Sequence, residues 1–216
     1  GRVCFASLVD YGFIKEPEHI IKYTPTEHSI VKTIDYDGDI VYDYLENHLT
    51  YKNHLEKIRS WFPKVEKTNV NDLVVHLRRG DNGPNINTLF EWYDSVIKSQ
   101  KIEFDRMYLV TDGPDDSCAV KFKKHYNAEI YSTKTINCKI WPDSLSEKKE
   151  RYKYDLKDFD FMRTFDKVLF SNSTFSWWAA VLSNASEVYL NKAWQPGHKG
   201  GRVKLGLTDY KGWTGI

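Results

Sequence analysis

Short apolar runs alternate with amphipathic segments along the chain from about residue 72 onward. The runs are rich in Val, Ile and Leu, and they predict buried strands at 73–75, 107–111, 128–131, 167–170 and 187–190. Helical spacing of apolar positions predicts helices at 91–99, 115–126, 156–165 and 174–182. Such alternation is typical of an α/β fold with a Rossmann-type, doubly wound parallel sheet.

The N-terminal part has a less regular pattern. A short strand is predicted at 3–9, and an acidic turn is predicted at Asp35-Tyr36-Asp37-Gly38-Asp39. A helix is predicted over 44–62, where Pro63 stops it, whereas 132–154 predicts a loop and the start of a solvated helix. We therefore divide the chain into an N-terminal region, 1–71, and a Rossmann-like region, 72–216.

Composition narrows the class of protein. Among 216 residues, Lys plus Arg (31) nearly balances Asp plus Glu (30), so the surface lacks the strong positive field of non-specific nucleic-acid binders. The three cysteines form no Cys-x-x-Cys pair, which fits a reducing compartment and predicts a cytoplasmic protein. No apolar run approaches the roughly 20 residues that span a bilayer. Because the chain starts at Gly1, we expect a domain of a longer polypeptide whose other domains are its partners.

Polar residues follow three of the predicted strands, and in an open parallel sheet ligands bind beyond the carboxyl ends of the strands. The first strand ends in His76-Leu77-Arg78-Arg79-Gly80-Asp81. Two adjacent guanidiniums are suited to bidentate hydrogen bonds with a pyrophosphate, and Gly80 lets the chain turn close to it. The alternative is a pair of surface arginines bonded to Asp81 and Asp72.

The other two strand ends carry an acid and a group of hydroxyls. Thr111-Asp112 offers a carboxylate that either accepts hydrogen bonds from a base or ribose or starts a turn. The segment 171–178 reads Ser171-Asn172-Ser173-Thr174-Phe175-Ser176-Trp177-Trp178. Ser and Thr are ordinary helix N-caps, yet a helix N-terminus rich in hydroxyls is also suited to bind phosphate.

These motifs resemble the α-1,2-fucosyltransferase family. His76 to Asp81 is similar to the His-x-Arg-Arg-x-Asp motif of α-1,2-, α-1,6- and protein O-fucosyltransferases. The order Asp155-Leu156-Lys157-Asp158-Phe159-Asp160-Phe161-Met162 and then 171–180 resembles the second conserved block of the α-1,2 branch. Thr111-Asp112 resembles its short acidic motif, and the resemblance covers roughly 44–194.

The resemblance implies a GT-B-like fold, inversion at the anomeric carbon, and a nucleotide-diphosphate-sugar donor handled without metal or other cofactor. Arg78 and Arg79 would contact the diphosphate, and His76 would lie beside the nucleotide. The remaining donor-binding residues would be Thr111 and Asp112 at the base and Asn172, Ser173, Thr174 and Ser176 at phosphate or sugar hydroxyls.

One departure concerns the N-terminal lobe. Relatives begin with a block near Gly-Gly-x-Gly-Asn-Gln that helps to form the acceptor side, and this chain has no such block. We therefore expect a reduced acceptor-side lobe in 1–71. The sugar stays open between L-fucose, L-rhamnose, xylose and others, on GDP or UDP, with a glycan hydroxyl as acceptor.

An inverting transfer needs a general base for the acceptor hydroxyl. Asp81 is the carboxylate nearest to the proposed diphosphate in sequence and is our first choice, with catalytic help from Arg78 and Arg79. Asp10, Asp37 and Glu91 are alternatives.

Two rival interpretations remain. Asp35-x-Asp37-x-Asp39 suggests a metal-binding acidic motif, although a solvated turn explains it better, and a calcium loop wants Gly where this chain has Ile40. The second rival is a catalytically inactive glycan- or nucleotide-sugar-binding module, in which Trp177, Trp178 and Trp194 stack on sugars.

Overall fold

The computed structural model describes residues 35–36, 39–40, 55–60, 62–79, 89–131, 145–191 and 210–216, with only the backbone of 35–36, 39–40 and 145–153. Several sequence-based predictions fall outside these residues: the strand at 3–9, the candidate bases Asp10, Asp37 and Asp81, and the aromatic Trp194.

Six parallel strands of the described residues form one sheet. They are β3 (Asn69–Leu77), β4 (Met107–Thr111), β5 (Glu129–Tyr131), β6 (Phe165–Phe170), β7 (Glu187–Leu190) and β8 (Trp213–Gly215). Their order across the sheet is β5-β4-β3-β6-β7-β8. Counted from β3, this is the strand order of a Rossmann sheet, and the chain reverses direction across the sheet between β3 and β6. The predicted doubly wound parallel sheet is confirmed at this level.

Two further strands, β1 (Asp35–Tyr36) and β2 (Asp39–Ile40), form a separate antiparallel pair. Tyr36 pairs with Asp39 across two intervening residues of the sequence, Asp37 and Gly38. An Asp-Gly pair between two strands is a common hairpin signal. Three of the five residues of the predicted acidic turn, Asp35, Tyr36 and Asp39, therefore lie in paired strands.

Helices cover both faces of the sheet. They are α1 (Leu55–Ser60), α2 (Phe90–Ser99), α3 (Ser117–Tyr126), α4 (Leu145–Met162) and α5 (Thr174–Ser183). Helices α2 and α3 pack on the face that carries Leu73 and Val75 of β3. Helices α1, α4 and α5 pack on the face that carries Val74. Because β3 is buried on both faces, its apolar positions run continuously, as expected of a central parallel strand.

The packing of α5 explains the adjacent tryptophans Trp177 and Trp178. Trp177 is 1 % exposed and packs with the side chains of α1, α4 and β8, and its ring lies 4.9 Å from that of the half-buried Trp178. A fully buried aromatic side chain of this size contributes core packing and has no surface to offer a sugar.

Two sequence-based boundaries are wrong. Helix α4 begins at Leu145, so the segment 145–154, predicted as part of a loop and the start of a solvated helix, is helical throughout. It ends at Met162, and Phe165, predicted as its last residue, is the first residue of β6. The end is fixed by tertiary contacts, because the guanidinium of Arg163 donates to the carbonyl of Pro63 at 2.6 Å.

Strand β8 was not predicted from sequence. It has three residues at the sheet edge, and the preceding Gly212 has φ +83°, where an added Cβ would lie 1.9 Å from the carbonyl oxygen of Ser186.

The predicted boundary at residue 72 between the N-terminal and Rossmann-like regions stays a prediction. Strand β3 already starts at Asn69, and Arg59 of α1 donates to the carbonyl of Val181 at 3.1 Å.

Candidate functional site

Three neighbouring strand ends carry the predicted site residues. Strand β3 lies between β4 and β6, with Leu77 opposite Thr111 and His76 opposite Phe170. The carboxyl ends of these parallel strands therefore meet at one edge of the sheet. The structure brings together there His76, Arg78, Arg79, Thr111, Asp112, Asn172, Ser173, Thr174 and Ser176. The reversal of strand order between β3 and β6 is where open α/β sheets bind ligands.

The loops after β3 and β4 are bonded to each other. Asp112 Oδ1 accepts the backbone N–H of Arg79 at 2.6 Å. The hydroxyl of Thr111 donates to the carbonyl of Leu77 at 2.7 Å and accepts the N–H of Gly113 at 3.1 Å. Thr111 is buried, so its hydroxyl acts within the protein, whereas Asp112 orients the backbone at the end of β3.

The guanidinium of Arg79 lies against Asp116. Arg79 NH2 donates to Asp116 Oδ2 at 3.0 Å, and Nε lies 2.9 Å from Oδ1 as an ion pair, with only the NH2 contact in hydrogen-bond geometry. The Arg79 side chain is 9 % exposed. Asp72, the partner that the sequence suggested, lies at the opposite end of β3 and bonds to Arg106 at 2.8 Å.

Asp116 is also the N-cap of α3. Its Oδ1 accepts the N–H of Cys118 at 2.9 Å. Cys118 is a buried thiol, and burial raises its pKa to about 11 although the charge of Arg79 acts in the opposite direction. Because the thiolate is the nucleophilic form, this cysteine is structural rather than reactive.

A buried tyrosine connects the ends of β3 and β6. The hydroxyl of Tyr93 lies 3.1 Å from the carbonyl oxygen of His76 and 3.2 Å from Oγ of Ser171. Ser171 in turn donates to Oδ1 of Asn172 at 2.8 Å. Tyr93 is fully buried, and burial raises the pKa of its phenol well above the ordinary value, so it stays neutral. One side chain thus links the ends of the two strands on either side of the reversal.

The first turn of α5 faces this edge. Ser173 is its N-cap, and its hydroxyl accepts the N–H of Ser176 at 3.3 Å, so the capping role is confirmed for Ser173. Thr174 is half-buried. Ser176 is fully buried, and its Oγ has no hydrogen-bond partner within the described part of the chain.

The two halves of the predicted second block lie side by side. Phe159 of α4 packs edge-on against Phe175 of α5 at 5.2 Å, and Phe175 lies 5.7 Å from the ring of His76. Asp155 and Asp158 of α4 are both buried. The Phe159–Phe175 contact therefore joins the two halves of the second block, and the Phe175–His76 contact joins that block to the His-x-Arg-Arg-x-Asp motif.

Glu91, an alternative base, lies on the outer surface. Its Oε1 accepts from Lys121 of α3 at 2.6 Å, and this hydrogen bond lowers the pKa of the exposed carboxyl. A carboxylate with a lowered pKa is a weaker base at neutral pH.

Tyr93, Gly113 and Asp116 are site residues that the sequence analysis missed. Asp116-Ser117 before an apolar helix is an N-cap signal, which would have found Asp116 as a cap but not as the partner of Arg79. Gly113 lies so close that an added Cβ would be 3.0 Å from Cβ of Arg79. Tyr93 carries no sequence signal that separates it from an ordinary core aromatic.

Neither a cluster of three or more metal-ligating side chains nor a helix long and apolar enough to cross a membrane occurs in the described ranges. Comparison with known proteins finds no match to a family model, to a curated protein or to a solved structure.

Proposed function

We propose that the chain is an inverting, metal-independent glycosyltransferase with a GT-B-like fold. It would move an L-fucose-like or L-rhamnose-like sugar from a GDP- or UDP-sugar to a glycan hydroxyl. The observation that carries this proposal is the convergence of three sequence motifs on adjacent strand ends where the strand order reverses.

The proposed diphosphate position lies between the end of β3 and the first turn of α5. Arg78 directly follows β3, and continued alternation would place it on the side of His76 and of α5, whereas Arg79 contacts Asp116 at the start of α3. Backbone N–H groups at a helix N-terminus and a guanidinium both favour an anion. Arg78 is accordingly our first choice for direct contact with the diphosphate.

Transfer would proceed by one displacement. The acceptor oxygen attacks the anomeric carbon as the bond from that carbon to the diphosphate oxygen breaks, and the acceptor proton passes to Asp81. Negative charge that develops on the leaving diphosphate would be stabilised by Arg78 and Arg79. The reduced N-terminal region would carry the acceptor side.

Asp112 would bind the base or ribose with a carboxylate that the Arg79 N–H already orients. Asn172, Thr174 and Ser176 would contribute polar atoms at phosphate or sugar. Ser173 would act through its N-cap of α5.

A nucleotide-sugar-binding module without turnover is the second candidate. The observation that favours it is the pairing of Arg79 with Asp116 and of Asp112 with Arg79, since residues engaged with each other need no catalytic role. Burial of Trp177 argues against the form of this candidate that stacks sugars on that side chain.

A panel of GDP- and UDP-sugars, with and without excess chelator, tests the proposal. A ligand at about 100 times its dissociation constant should stabilise the fold by about 2.7 kcal/mol in thermal unfolding. We expect one donor to stabilise the protein and to be slowly hydrolysed or transferred equally well with chelator present. A strict magnesium or manganese requirement would contradict metal independence, and binding without turnover would favour the second candidate.

A further inference from the structure

Asp116 makes two contacts that belong to different parts of the fold. Its carboxylate caps α3 through the N–H of Cys118 and also holds the guanidinium of Arg79, 37 residues away in sequence. One side chain therefore connects the first turn of α3 with the end of β3. The second contact is the one that capping alone does not require.

Burial distinguishes this ion pair from a surface salt bridge. The side chain of Arg79 is 9 % exposed and that of Asp116 is 26 % exposed. By contrast, the exposed pair Lys121–Glu91 keeps 54 % and 64 % of its side-chain surfaces in solvent. At Gly113 an added Cβ would lie 3.0 Å from Cβ of Arg79, so a side chain at this position would crowd the arginine. The guanidinium of Arg79 is thus held by its attraction to the carboxylate of Asp116 and by the burial of its side chain.

We propose that Asp116 is a positioning residue for the transfer reaction, acting through Arg79. The inference rests on the proposed function of the same site. Asp116 holds one edge of the guanidinium by one hydrogen bond from NH2 and by the ion pair at Nε, and so restricts the orientation of the group. Arg79 then stabilises charge on the leaving diphosphate without first losing side-chain freedom.

Two effects of the carboxylate oppose each other in ground-state binding. Its negative charge weakens attraction for a diphosphate, whereas the orientation that it imposes on Arg79 strengthens the contact. In the transition state, negative charge develops at one position on the leaving diphosphate, so the orientation of Arg79 has the larger effect. A positioning role therefore predicts a loss in turnover larger than any change in donor affinity.

Asp116→Asn separates capping from positioning. Asn is as good an N-cap as Asp, so α3 should stay capped, but an amide gives the guanidinium neither a charge nor two acceptor oxygens, and loss of the ion pair should lower the thermal midpoint of the unliganded protein. With the nucleotide-sugar that stabilises the wild type, we expect kcat for donor hydrolysis to fall at least about tenfold, since small misplacements of a catalytic group are costly. The KM should stay within about threefold.

Asp72→Asn is the matched control, because it removes the carboxylate from an Asp–Arg pair at the other end of β3. We expect that variant to lower the thermal midpoint and leave kcat unchanged. A double-mutant cycle with Arg79→Lys completes the test, since Asp116→Asn should cause little further loss once the fork of Arg79 is gone.

The outcomes separate the two proposals. Wild-type turnover in Asp116→Asn, or an equal loss in the Arg79→Lys background, overturns the positioning role and leaves the proposed function intact. A wild-type protein that turns over no GDP- or UDP-sugar of the panel overturns both.

Discussion

The two ends of β3 are joined to their surroundings by the same kinds of group in different arrangements. At the amino end, Asp72 alone accepts the N–H of Arg106 at 3.1 Å and its guanidinium at 2.8 Å. At the carboxyl end, Asp112 accepts the N–H of Arg79, whereas Asp116 holds its guanidinium. One carboxylate makes both contacts at the amino end, whereas two carboxylates make one contact each with Arg79 at the carboxyl end.

The exposure of the two arginines also differs. The side chain of Arg106 is 59 % exposed and that of Arg79 is 9 % exposed. Asp72 is buried but its partner cation stays largely in solvent, whereas burying a guanidinium as well costs desolvation that its partners must offset. The amino end therefore needs only a structural explanation. The carboxyl end places a largely buried cation at the edge where open parallel sheets bind ligands.

Arg→Lys substitutions should give the largest difference between the two ends. Lys keeps the charge but lacks the planar fork, so at least one of Arg78→Lys and Arg79→Lys should lose about 2.7–4 kcal/mol of transition-state stabilisation. Arg106→Lys should leave turnover unchanged. Steady-state kinetics on folded variants checks this. If both Arg78→Lys and Arg79→Lys transfer sugar at wild-type rates, the carboxyl end is a salt-bridge cluster like the amino end.

The reactivity of the Cys118 thiol measures how well the protein excludes solvent around Arg79 and the first turn of α3. With a pKa of about 11 in place of about 9, the thiolate fraction near pH 8 falls about a hundredfold. Because the raised pKa favours the neutral thiol, reactivity should appear only as the pH approaches that value. We expect Cys118 to be alkylated at least about a hundredfold more slowly than in the unfolded chain, as measured by peptide mass spectrometry. Equal rates would show that this side is open.

Tyr93→Phe should test the connection between β3 and β6. The hydroxyl is buried, and its loss leaves the His76 carbonyl and Ser171 with one polar contact fewer, which costs about 1–3 kcal/mol. Urea unfolding measures this free energy directly. Tyr108→Phe, the same change at a half-buried tyrosine of β4, is a control that does not touch this network. An unchanged unfolding free energy in Tyr93→Phe would mean that the register at the carboxyl end does not depend on the hydroxyl.

Asp112→Ala should have a smaller effect, mainly on donor affinity. A carboxylate at the base or ribose interacts similarly in ground and transition states, so KM should rise about tenfold, as for one lost hydrogen bond to a charged group, with kcat less affected. Initial rates over a range of donor concentrations separate the two constants. A collapse of turnover at constant donor affinity would instead assign Asp112 to the chemical step.

Local sequence patterns predicted the bounds of those elements whose apolar positions follow a simple pattern. Strands Met107–Thr111 and Glu187–Leu190 have the predicted bounds, because a continuous apolar run bordered by polar residues has one interpretation in a parallel sheet. Helix α4 was placed too late because its first part is strongly charged and lacks a clear apolar stripe. Strand β8 depends on pairing with β7, which a three-residue segment does not reveal.

The sequence by itself determined which residues end the strands: His76 to Arg79, Thr111-Asp112 and 171–176 follow apolar runs, and the chemistry of such residues is local. Only the tertiary structure decided that these ends are neighbours in the order β4-β3-β6. It also decided the partners, with Asp116 for Arg79 and Ser171 for Tyr93, 37 and 78 residues apart. The reason is physical: a strand or cap depends on nearest neighbours along the chain, whereas an ion pair or a buried hydrogen bond depends on which surfaces the packed core brings within about 3 Å.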